Sequence, residues 1–70
     1  MDQIKIGNFI KECRKELDIT QYELADKLNV SFKTISKWEC GKGLPDVSLL
    51  LPLCNELNIS VNELLSGERL

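Results

Sequence analysis

Lys33, Thr34, Ser36 and Lys37 fall within one short stretch, "SFKTISKWECGK" at residues 31–42. Together they offer two ammonium groups and two hydroxyls, with no carboxylate between them. Such a set donates hydrogen bonds to phosphates, carbonyls and ring nitrogens. Carriers of bond-making chemistry are scarce. The chain has no His, and Cys13, Cys40 and Cys54 stand far apart with no C-x-x-C pair. Neither a zinc site nor a disulfide framework is expected. Gly41 and Gly43 bracket one Lys and do not make a phosphate-cradling loop. Seventy residues leave no room for a pocket of ordinary ligand size. The expectation is therefore no enzyme, no cofactor and no metal. Cys13 and Cys54 read as small core hydrophobes, and Cys40 lies in a loop.

The elements that position the polar residues follow from apolar spacing. Ile6, Phe9, Ile10, Cys13 and Leu17 make one stripe at intervals of three and four, which predicts a helix over residues 4–17. Thr20 and Glu23 form the T-x-x-E capping box that starts a second helix. Leu24, Ala25 and Leu28 are its buried face, and Asn29 ends it in a left-handed conformation. Ser31 caps a third helix, whose inward residues are Ile35 and Trp38 and whose stop is Gly41. "GKGLPD" is a loop. Either Asp46 or Ser48 caps a fourth helix running to about Leu57. With Ser48 as cap, Pro52 lies within the first turn or so; with Asp46 as cap, a kink is expected there. Ser60 and Glu63 form a second capping box, followed by Val61, Leu64 and Leu65, and this fifth helix ends near Gly67. No segment alternates with period two, so no strand is expected. The reading is an all-α, compact five-helix bundle over residues 1–67, with 68–70 as a tail or the start of a linker.

Only Asn29 to Ser31 separate the second helix from the third, which makes the pair a helix-turn-helix candidate. In that motif the second helix lies in the DNA major groove and its N-terminal residues meet base edges. With Ile35 and Trp38 turned inward, Phe32, Lys33, Ser36 and Lys37 face away and Thr34 sits at the flank. The alternative for these positions is a solvated polar face. The net charge of −2 speaks weakly against a nucleic-acid partner, but its distribution is uneven. Residues 1–42 hold eight Lys or Arg against seven acids, a balance of +1, whereas residues 43–70 hold one Arg against four acids.

The run "LDITQYELADKLNVSFKTISKWECGKGLPD", continued by "LLLPLCNELNISVNELL", resembles the Cro and lambda-repressor type of helix-turn-helix domain, also called the xenobiotic-response-element family. The T-Q-x-E-L-A core, the T-I-S-K-W-E run and the G-K…P-D loop occur together at the usual spacing and cover nearly the whole chain. The resemblance implies a lambda-repressor-like fold and double-stranded DNA as partner. It places Gln21 on a backbone phosphate, aided by the helix N-terminus, and makes Phe32, Lys33, Thr34 and Lys37 base-reading positions. Lys42 matches a loop that holds the phosphate backbone, while Ser36, outward on the same helix, reaches phosphate or base. It pairs Arg14 with Glu39 in an ion pair that buttresses the third helix and brings Arg14 near phosphate. Phe32 departs from the pattern, since Arg, Gln or Ser is commoner there. It either meets a thymine methyl or folds back against Tyr22. Cys40 replaces the usual Asn, so the left-handed cap is strained or passes to Gly41.

The resemblance also implies a homodimer on a palindromic operator, with half-sites about one DNA turn apart. Leu49, Leu50, Leu51, Leu53, Leu57, Val61, Leu64 and Leu65 offer apolar surface, most of it core, with one or two for a two-fold patch. The ending "LLSGERL" reads as the start of a linker, and a sensing or dimerising C-terminal effector domain is what relatives carry beyond it. No apolar run approaches the roughly eighteen residues of a transmembrane helix, and "MDQIKIGNF" lacks the blocks of a signal peptide. A cytoplasmic transcriptional regulator of bacterial or phage origin, a repressor first, is the leading reading. The alternative is a protein-interaction module or antitoxin component that keeps the fold with weak or no operator binding.

Overall fold

A computed structural model describes all residues from Met1 to Leu70. It holds five helices and no strand: α1 (Gln3–Glu16), α2 (Gln21–Leu28), α3 (Phe32–Glu39), α4 (Val47–Leu57) and α5 (Val61–Ser66).

Four of the five helices start on a side-chain cap. The Asp2 carboxylate accepts from the Ile4 and Lys5 N–H groups and opens α1. Both capping boxes are formed in full. Thr20 Oγ1 accepts from the Glu23 N–H at 3.0 Å, and Glu23 Oε1 accepts from the Thr20 N–H at 2.8 Å. Ser60 and Glu63 repeat the exchange at 3.0 and 2.9 Å. These reciprocal bonds hold the two glutamates below their ordinary carboxylate range, chiefly through the backbone N–H each one accepts. Asp46 caps α4, and its Oδ2 accepts from both the N–H and the hydroxyl of Ser48. Pro52 is therefore inside the helix, beyond its first turn, and leaves the Ser48 carbonyl without its helical donor.

Helix ends are equally local. Asn29 takes the left-handed conformation at φ 57°, as does Asn58 at φ 60°. After α3, Cys40 stays at φ −88° and the left-handed turn passes to Gly41 at φ +73°. Asp18, between α1 and α2, is also left-handed. Leu17, counted above in the apolar stripe, is exposed, because it caps α1 beyond the last helical turn.

The core gathers Ile6 and Ile10 of α1, Leu24 of α2, Ile35 of α3, Leu53 and Leu57 of α4 and Leu64 of α5, all fully buried. Phe9, Cys13, Ala25, Leu28, Trp38, Cys54 and Ile59 complete it. Helix α3 packs on both α1 and α2. Its approach to α1 is close: a Cβ at Gly7 would lie 2.2 Å from the Trp38 carbonyl oxygen. Only a glycine lets the two backbones come together there.

The last residues turn back on the bundle. Lys5 Nζ donates to Glu68 Oε2 at 2.8 Å, the Arg69 guanidinium pairs with Glu16, and the Leu70 N–H donates to Glu63 Oε2. No helix is long and apolar enough to cross a membrane, and no cluster of three His, Cys, Asp or Glu side chains is placed to hold a metal ion.

Candidate nucleic-acid interface

Helix α3 is short, eight residues, and its position is set by its buried face. Ile35 and Trp38 lock into the core, which leaves Lys33 and Lys37 exposed on the other side. Neither lysine, nor Lys42 after the helix, is engaged in an ion pair. Thr34 is half-buried, with its hydroxyl 3.4 Å from that of Ser31. Ser31 occupies the N-cap position yet accepts no backbone N–H with its side chain. Ser36, expected to face outward, is half-buried as well. Lys42 is held near the helix end by its own N–H, which donates to the Lys37 carbonyl.

Phe32 is the first residue of α3. Its ring stacks on Tyr22 with centroids 4.4 Å apart and planes at 30°, and it also packs against the core. Of the two courses open to it, the ring has folded back. Tyr22 itself is 65% exposed. Tyr22 is the residue named above as the partner for a folded-back Phe32, and it lies beside Gln21 in the first turn of α2.

Behind this surface lies a polar hub. Glu39 Oε2 accepts from Arg14 Nε at 2.7 Å, and its Oε1 accepts from both Arg14 Nη2 and Gln21 Nε2 at 3.0 Å. Arg14 Nη1 donates to the Ile19 carbonyl at 2.8 Å. Arg14 and Glu39 are only 8% and 7% exposed, and no buried polar side-chain atom lacks a partner. The hydrogen bonds to Glu39 raise Arg14 above its ordinary range. One carboxylate thus ties α1, α2 and α3 together. The three Arg14 guanidinium nitrogens are engaged by Glu39 and the Ile19 carbonyl, and the residue is mostly buried. Gln21 uses one amide N–H on Glu39 and keeps the other. Beside it runs an open furrow of about 480 Å³ lined by Arg14, Lys15, Asp18, Ile19, Thr20, Gln21 and Tyr22. The furrow is open to solvent and not an enclosed pocket of the kind that buries most of a ligand.

The apolar residues of α4 and α5 divide. Leu53, Leu57 and Leu64 are core, Leu49, Leu50 and Val61 are half-buried, and Leu51 and Leu65 are exposed. Val47, not among the residues anticipated, is 82% exposed.

The helix-turn-helix family matches residues 10–64. The chain is 41% identical over 61 residues to the HTH-type transcriptional activator BcrR of Enterococcus faecalis, covering 87% of this chain and 30% of that protein. It is 34% identical over 61 residues to the cryptic phage CTXphi transcriptional repressor RstR of Vibrio cholerae, covering 87% and 54%. The chain thus spans about half or less of the length of these regulators. Among solved structures, the DNA-binding domain of the P22 C2 repressor superposes with a TM-score of 0.84 at 36% identity, covering 96% of this chain and 88% of that one. The match takes in well over half of the residues, and the chain belongs to the helix-turn-helix family, of the Cro and lambda-repressor type.

Proposed function

We propose that this domain binds double-stranded DNA in a sequence-specific way and regulates transcription, as a repressor that occupies a palindromic operator as a homodimer. One observation carries the reading: α3 presents Lys33 and Lys37 free of ion pairs, with Thr34 between them, while its one carboxylate, Glu39, is turned inward onto Arg14 and Gln21. Donors with no competing acid suit the acceptor-rich edges of guanine. Lys33, Thr34 and Lys37 read bases and Phe32 adds an apolar contact. Gln21, Lys42 and Ser36 hold phosphate, which fixes register without reading sequence. Arg14 orients Gln21 through Glu39 and lies one layer behind the phosphate. The work needs no bond-making step, so no enzymatic activity is assigned. A cytoplasmic location and a further domain beyond residue 70 belong to the same proposal, and the greater length of the relatives supports the latter.

A second reading, a protein-interaction or antitoxin module with weak DNA binding, draws on exposed Val47 and Leu51 and on the net charge of −2. Titration of a fluorescent duplex between 50 and 200 mM salt separates the two. DNA binding through phosphate contacts gives a log affinity that falls linearly with log salt, by about 0.9 per contact. No binding even at the lower salt moves the assignment to the second reading.

A further inference from the structure

Phe32 stands where the N-terminal end of a recognition helix meets base edges, yet it brings no hydrogen-bonding group. Of its two anticipated courses the structure shows the stack on Tyr22, and that stack leaves the other, a base methyl, available to the rest of the ring. Stacking on Tyr22 covers one face of the ring, the core holds its root, and the residue as a whole is only half-buried. The stack and the core contact therefore leave Phe32 partly open to solvent, next to the exposed Lys33 in the chain. Aromatic pairs stabilise each other beyond the area they cover. A ring pinned between a core and a neighbouring ring loses little freedom when it docks. The apolar feature that the major groove offers it is the C5-methyl group of thymine.

We propose that Phe32, held by Tyr22, reads the C5-methyl of one thymine in each half-site, with Tyr22 as the positioning residue. The contact rests on the DNA-binding reading above and sharpens it. It discriminates against a pyrimidine without the methyl, and it sits beside the Lys33 and Lys37 contacts. Tyr22 acts through its ring; its hydroxyl is dispensable for this role.

The test uses the whole chain and the duplex it selects from a random pool. Each thymine is replaced in turn by deoxyuridine, which removes the C5-methyl alone. One replacement per half-site weakens binding about fourfold, the worth of roughly one buried methyl, and the others leave it unchanged. Tyr22→Ala, a change at a mostly exposed position, erases that difference. Tyr22→Phe, which restores the ring, keeps it. A duplex bound with no methyl-sensitive thymine overturns the proposal and leaves DNA reading intact, as does a methyl effect that Tyr22→Ala does not touch. Failure to select any duplex overturns the DNA reading itself and this contact with it.

Discussion

Arg14 and Glu39, 25 positions apart in the chain, meet in two parallel hydrogen bonds of 2.7 and 3.0 Å, and the same carboxylate accepts from Gln21. The position of α3 thus depends on a buried ion pair that ties it to α1 and, through Gln21, to α2. Breaking one partner of a buried ion pair leaves an uncompensated charge, which costs about 3–5 kcal/mol. That is about a third or more of the stability of a domain this size, at roughly 0.05–0.15 kcal/mol per residue. Glu39→Ala is expected to collapse the urea unfolding midpoint. Glu39→Gln, which keeps the shape and one acceptor, is expected to lose less. An Ala variant within about 0.5 kcal/mol of the parent, the usual range for surface changes, would show the pair to be incidental.

Gly7 gives a prediction of opposite sign to intuition. Alanine is the better helix former by about 1 kcal/mol, and Gly7 lies within α1. The Cβ would nevertheless strike the Trp38 carbonyl oxygen, and forcing α1 from α3 costs about 1–3 kcal/mol or more. Gly7→Ala should lower the melting temperature. An unchanged or higher value would mean that the two helices are not so close.

Acid should weaken the fold through its caps. Glu23 and Glu63 are held below their ordinary value of 4.5 by the N–H groups of Thr20 and Ser60, and Glu68 by Lys5. The Ser48 hydroxyl and N–H do the same for Asp46. Each folded value lies below the unfolded one, so the unfolded chain takes up protons first. The stabilisation is present above about pH 4.5 and is lost as the pH falls through the lower folded values. Urea midpoints should hold between pH 7 and 5 and drop by pH 3. The double variant Glu23→Gln, Glu63→Gln should show a flatter profile; an equally steep one would place the acid sensitivity elsewhere.

Base and phosphate contacts should separate by mutation. Lys33→Ala and Lys37→Ala are each expected to cost about 1–3 kcal/mol on the selected site. Gln21→Ala should weaken binding to every duplex alike, since phosphate carries no base information. Competition titrations with selected and scrambled duplexes measure both. Parent-like binding by all three variants would remove the assigned roles.

What the sequence made legible was local. Thr20 with Glu23, Ser60 with Glu63, and Asn29 each announce a helix end within four residues, and the structure has all three. The apolar spacing likewise placed Ile35 and Trp38 inside. Where two local rules competed, the choice stayed open: Pro52 favoured Ser48 as the cap of α4, but the Asp46 carboxylate takes both Ser48 donors. Relationships across the chain carried little signal. Nothing near Gly7 announces the Trp38 carbonyl, and the pairs of Lys5 with Glu68 and Arg69 with Glu16 join the two ends of the molecule. Family resemblance pairs Arg14 with Glu39, while the third member of the hub, Gln21 on Glu39, is visible only in the fold. The side-chain choice of Phe32 was likewise a tertiary matter, settled by a neighbour from another helix.

The most direct test is selection of bound duplexes from a random DNA pool by the 70-residue chain, at low and at physiological salt. An operator-reading dimer predicts an enriched palindrome with half-sites about one turn apart, with weaker recovery at the higher salt. No enrichment at either salt would contradict sequence-specific DNA binding and leave the protein-interaction reading in its place.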